Sequence, residues 1–241
     1  MKLEKTERLE DLQCNGLKII QDKNLYSFSS DSVVLANFVK TKKDDVCVEI
    51  GAGSGVVSIL LQSKSPLKQI YAFEIQESMQ KLCEKNIKLN GLEEIIKLVC
   101  DDVRNFEKHL EKESVNVVFS NPPYFKVTDF EQSEVKKIAR EEVCLTLKDF
   151  VECSARMLRN GGSFYCCYSA ERSVELITLC AKNNLIVKEM FFTENGKGQV
   201  KLVVLKAVKN AKQGVKVFKN LITNEENGDY LKILHTKNFG K

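Results

Sequence analysis

Asn121-Pro122-Pro123-Tyr124 is the stretch of this chain with the clearest chemical potential. Two consecutive prolines fix φ and remove two backbone donors, so their carbonyls are free to face a site. Asn121 adds an amide oxygen beside the Pro122 carbonyl, and two adjacent acceptors suit a planar NH2 group. Tyr124 offers a ring face on which the ring bearing that amine can stack, and Phe125 follows it with a second. The chain has only 3 Pro in 241 residues. Two of them set between Asn and Tyr at a strand end are poorly explained as an ordinary turn.

A second group of residues suits a bound cofactor. Glu49 and Ile50 end an apolar run that enters Gly51-Ala52-Gly53-Ser54-Gly55 and then a helical segment. Glycines let backbone approach a ligand closely, and a helix start presents unpaired N–H groups. The spacing is GxGxG. Val56 stands where a dinucleotide fingerprint wants Gly or Ala, and no GK[ST] follows, which excludes a triphosphate-binding loop. Glu74, 23 residues after Gly51, closes the next strand, where a carboxylate can accept from both hydroxyls of a ribose. Asp101-Asp102 closes the third strand, within reach of an exocyclic adenine amine. Singly, each acid reads as a solvated or capping residue. At successive strand ends they point to an adenosine-containing cofactor.

Taken together, GAGSG, Glu74, Asp102 and NPPY resemble the S-adenosylmethionine-dependent amino-group methyltransferases of the class-I fold. Residues 15–21 (NGLKIIQ), 28–36 (FSSDSVVLA) and Ala139-Arg140-Glu141 resemble one subgroup, the bacterial adenine-N6 methyltransferases that act beside the anticodon of valine tRNA. The resemblance spans about residues 8–208. It implies S-adenosylmethionine as cofactor, with Gly51, Gly53 and Gly55 against its methionine part, Glu74 on the ribose and Asp102 on the adenine. Asp102 is preferred to Asp101 because an acid followed by an apolar residue fits the family pattern. Glu49 either orients the cofactor amino group or is an acid satisfied within the fold. Asn121 and Pro122 would grip the target amine, Tyr124 and Phe125 would stack the base, and Arg140 would contact substrate. Residues 28–31, Asp31 included, would close over the cofactor; alternatively Ser30 or Asp31 simply caps the helix over 32–40.

The elements that must position these groups alternate along the chain. Strands are expected over 45–50, 69–74, 95–100, 115–120, 163–168, near 185–192 and over 200–208. Helices are expected over 56–62, 76–90, 104–112, 148–159 and 169–182, with Gly91 ending the second and Asn160-Gly161-Gly162 the fourth. This alternation implies a Rossmann-like α/β fold: a seven-stranded, mostly parallel sheet whose last two strands form an antiparallel edge hairpin. We expect a single domain, 1–241, with an N-terminal cover (1–40), a cofactor-binding and catalytic core (41–208) and a basic C-terminal tail (209–241).

Composition narrows the setting. Hydrophobic residues make up 43% of the chain, enough for a packed core. The charged start lacks an apolar leader, and the longest apolar run, 56–61, is far below the ~18 residues that span a bilayer. Nine cysteines without an export signal indicate a reducing cytoplasm. None stand two to four apart, so neither a metal site nor a CxxC redox site is expected; they read as small core residues. His109 and His235 have no partner pattern and read as structural. The formal net charge of +4 is uneven: from Lys197 onward ten Lys face three acids, while the rest of the chain has 27 basic and 30 acidic residues. Such a tail is either a solvated lysine-rich surface or a grip for a polyanion, here tRNA. Rival targets of the same grip are a protein glutamine amide, guanine N2 and DNA adenine N6. Readings of another class are a non-catalytic nucleic-acid-binding module and a dinucleotide oxidoreductase.

Overall fold

The computed structural model describes residues 3–65, 67–122, 145–195 and 197–223. An antiparallel hairpin of β1 (Glu7–Asp11) and β2 (Lys18–Asp22) opens the chain and leads into α1 (Ser30–Phe38). The core then alternates β3 (Val46–Ile50), α2 (Val56–Lys64), β4 (Gln69–Phe73), α3 (Glu77–Leu89), β5 (Ile96–Val99), a 3-10 turn (Val103–Lys108) and β6 (Val115–Ser120). After it come α4 (Leu147–Met157), β7 (Leu158–Ser169), α5 (Ser173–Lys182), β8 (Leu185–Asn195) and β9 (Val200–Lys209).

The sheet runs β8-β9-β7-β6-β3-β4-β5. Strands β3 to β7 are parallel, and β9 is antiparallel to both β7 and β8. Val117, Val118, Phe119 and Ser120 of β6 are all buried, as a parallel strand covered on both faces requires. One core packs α1 and α2 against one face of the sheet and the other packs α4 and α5 against the opposite face. The amphipathic α3 buries Met79, Leu82, Cys83, Asn86 and Ile87. It ends where expected: Gly91 has φ +64° and the Leu92 amide donates to the Ile87 carbonyl at 3.1 Å.

Several boundaries depart from the sequence expectation. The seven-stranded sheet gains two short strands, β10 (Lys216–Val217) and β11 (Leu221–Thr223), both parallel to β8. Part of the expected tail therefore lies on the sheet edge; residues 224–241, His235 among them, are outside the described residues. Strand β7 starts at Leu158 and runs through the Asn160-Gly161-Gly162 segment, because Leu158 already pairs with Val115. The expected helix over 104–112 is a 3-10 turn capped by Asp102. Helix α1 starts at Ser30, with Ser29 before it, so neither Ser30 nor Asp31 is its cap; Ser29 Oγ donates instead to Asp31 at 2.9 Å.

Candidate active site

The order in which strands are added to the sheet reverses at β3, since β4 lies on one side of it and β6 on the other, both parallel to it. Doubly wound sheets open a crevice at the carboxyl end of such a switch point. The cavity here is lined by Gly51 and Gly53 after β3, Glu74, Ile75 and Gln76 after β4, Asp101 and Asp102 after β5, and Asn121 and Pro122 after β6. Ser32 of α1 and the aromatic residues Tyr26 and Phe28 close it from the N-terminal segment.

Asn121 is fixed by one hydrogen bond and leaves one acceptor unused. Its amide nitrogen donates to Ser32 Oγ at 3.2 Å, while its Oδ1 is buried without a hydrogen-bond partner. A buried carbonyl left unpaired costs about 1–3 kcal/mol, and a donor brought by a ligand would recover that loss. Strand β6 is itself anchored beside β3, where Ser120 Oγ donates to the Ile50 carbonyl at 2.6 Å.

Glu74 organises the glycine turn. One carboxylate oxygen accepts from Gly53 N at 2.8 Å and the other from Gln76 N at 2.9 Å. Burial pushes its pKa up, against the pull of these backbone donors. Gly51 and Gly53 have φ of +69° and +56°, the left-handed region that glycine enters freely. A Cβ at Gly51 would meet nothing within 4 Å, so its backbone faces open space. Gly55 serves a different purpose. It does not line the cavity; a Cβ there would come within 2.8 Å of Cys83 Sγ, so its smallness admits α3 against the turn.

Glu49 lines the cavity and accepts from the amide and hydroxyl of Ser58. Burial pushes its pKa up to about 8, with Ser58 acting in the opposite direction. Asp102 accepts from the Arg104 amide at 2.9 Å and from its guanidinium, which hold its pKa down despite partial burial. Asp101 accepts from Asn105 at 2.8 Å and contacts His109 Nε2 at 3.0 Å, and these partners hold its pKa at about 2. His109 thus has a partner that its sequence neighbours did not reveal. Asp31 is absent from the cavity lining among the described residues. Tyr124, Phe125 and Arg140 lie outside the described residues. Sequence reasoning missed Ser32, Ser58 and Gln76, whose Oε1 is a second buried acceptor without a partner; a serine in a helix or a glutamine after a strand carries no local signal of such a role.

Four carboxylates and neither Lys nor Arg line the cavity among the described residues. A ligand with cationic centres, hydroxyls and an apolar ring fits the acids together with Ile75, which is 45% exposed.

Residues 17–180 match the methyltransferase small domain family. The chain belongs to that family. A relative of this methyltransferase, the tRNA1(Val) (adenine(37)-N6)-methyltransferase of Tolumonas auensis, is 24% identical over 188 residues, covering 78% of each chain. Among solved structures, a predicted O-methyltransferase from Agrobacterium tumefaciens superposes with a TM-score of 0.65 at 15% identity, covering 85% of this chain and 95% of the other. M. jannaschii TYW2, solved in complex with AdoMet, gives 0.60 at 19% identity, covering 86% and 88%. These likenesses show a Rossmann-like methyltransferase fold. The cofactor of this methyltransferase is S-adenosylmethionine, and the acid-lined, cation-free cavity fits it.

Proposed function

We propose that this methyltransferase modifies the exocyclic N6 amino group of an adenine beside the anticodon of a cytoplasmic tRNA. The observation that carries this reading is the buried, unpaired Oδ1 of Asn121 at the end of β6, inside the cofactor cavity. The name of the Tolumonas relative supports tRNA as substrate.

S-adenosylmethionine supplies an electrophilic methyl group on a cationic sulfur. Glu74 is assigned the ribose, the Gly51 and Gly53 backbone the methionine part, Glu49 the amino group, and Asp102 the adenine through lone pairs that Arg104 leaves over. The N6 lone pair of adenine is delocalised into its ring and is a weak nucleophile. Accepting the two N–H bonds on Asn121 Oδ1 and the Pro122 carbonyl favours a pyramidal nitrogen and aims its lone pair into the cavity. Ser32 holds the Asn121 amide in the orientation this needs. Holding attack geometry of this kind is worth roughly 7–11 kcal/mol. The displaced proton leaves after transfer, so no strong base is required. Flipping the base out of its stack costs a few kcal/mol; Tyr124 and Phe125 are assigned the stacking that offsets it, and Arg140 a substrate contact.

Mass spectrometry of tRNA nucleosides after incubation with enzyme and S-adenosylmethionine tests the reading. N6-methyladenosine is expected. N2-methylguanosine as product, or methyl label found only on protein glutamine, overturns it.

A further inference from the structure

A second hollow lies on the same sheet, away from the acid-lined cavity. Lys40, Lys188, Lys206 and Lys216 line it, together with Glu189 and Phe218. We infer that it binds backbone phosphates of the RNA whose base enters the active site; this rests on the tRNA reading above.

Strand register places the hollow. Glu49, Phe119, Tyr165, Lys206, Glu189 and Lys216 stand opposite one another across β3, β6, β7, β9, β8 and β10. At about 4.8 Å per strand, Lys206 is about 10 Å and Lys216 about 19 Å from β6, the strand that ends at Asn121. Successive phosphates of one strand advance about 3.4 Å along the axis of a duplex, so a few nucleotides bridge the two sites.

The charges in the hollow do not cancel. Among the described residues Glu189 is the single carboxylate lining it, 3.1 Å from Lys206 and 3.6 Å from Lys40. Lys188 falls at a β-bulge, without a cross-strand partner in the β8–β9 register, and its Nζ donates to the Lys212 carbonyl at 3.1 Å. Lys216 stands 4.7 Å above the Phe218 ring. Four ammonium groups against one carboxylate leave a cationic surface with an aromatic face in it, a combination that suits nucleic acid. Asp101 and Asp102, held ionised by their partners, repel phosphates at the cofactor cavity, while the hollow attracts them farther across the sheet. That polarity turns an approaching strand.

The test compares Lys188→Gln/Lys216→Gln with an equal charge change on α3, Lys81→Gln/Lys88→Gln. Filter binding of tRNA across a salt series, tRNA KM, kcat and cofactor affinity are measured for both and for the wild type. In the hollow variant the slope of log affinity against log salt is expected to fall by about 1 per lysine, with a raised tRNA KM and unchanged kcat and cofactor affinity. The α3 variant should keep the wild-type slope. Equal slopes for hollow variant and wild type, or an equal fall in the α3 variant, overturn the inference. So do unmoved tRNA slopes with weakened retention on immobilised polyglutamate, which would give the hollow to an acidic protein. A hollow-dependent slope without any N6-methyladenosine overturns the adenine reading alone; N6-methyladenosine with hollow-independent slopes overturns the hollow alone.

Discussion

Asn121 and Glu49 illustrate two different uses of a buried polar group in one cavity. Asn121 keeps an acceptor without a partner, so Asn121→Ala removes a contact that substrate makes and leaves the cofactor contacts in place. The expected result is a fall in kcat of about 100-fold or more, the scale of losing one well-placed polar group in an active site, with S-adenosylmethionine affinity by calorimetry close to wild type. A large loss of cofactor binding would contradict this role. Glu49 is buried with a pKa raised to about 8. An acid whose pKa is higher folded than unfolded favours the folded state while protonated, and that contribution is lost as pH rises from its unfolded value toward about 8. Thermal stability of the cofactor-free protein should therefore decline over that window, with Glu74 acting in the same direction. Glu49→Gln should flatten the decline, and an unchanged pH profile would show that Glu49 titrates normally. The NPPY segment was legible in the sequence because prolines are rare in this chain. The Ser32 support for Asn121 was not, because 89 residues separate the two.

At the scale of elements, the glycine turn is held from three sides. Glu74 accepts from Gly53, Gly55 makes room for α3, and Asn86 of α3 bonds the Ser54 carbonyl at 3.0 Å and both backbone groups of Ile20 in β2. Gly55→Ala meets two obstacles, a φ of +80° and a Cβ 2.8 Å from Cys83 Sγ. It should cost about 1–3 kcal/mol, in the range of backbone strain and overpacking. In a Cys83→Ala background the contact is gone and only the backbone strain remains, so denaturant melts should show a smaller cost there. An identical cost in both backgrounds would locate the whole effect in the backbone. The order of strands and helices was readable because β3, β4 and β6 are short apolar runs that end in Gly, Glu or Asn. The packing of Gly55 against α3 was not, since a motif records spacing and the neighbouring helix decides what each glycine meets. The β1–β2 hairpin was hidden too, because six of its ten residues are charged and its apolar side is completed by α3.

For the whole molecule, charge is divided between two ends of one sheet: acids at the cofactor cavity and lysines over the hairpin half. The sequence showed the lysine excess of the C-terminal fifth, but Lys40 and Lys188 reach the hollow from elsewhere in the chain. Strands β10 and β11 have a consequence separate from catalysis. They pair with Glu189–Met190 and Thr193–Asn195 along the outer side of β8, and an unpaired strand edge is a template for sticking to other chains. A chain cut after Asn210 should retain cofactor binding yet scatter more light as concentration rises. A cut chain that stays monodisperse would mean the edge needs no cover. In the intact protein these five residues act as a fender for the sheet, a duty that places a lower limit on how far this lysine-rich region can be shortened.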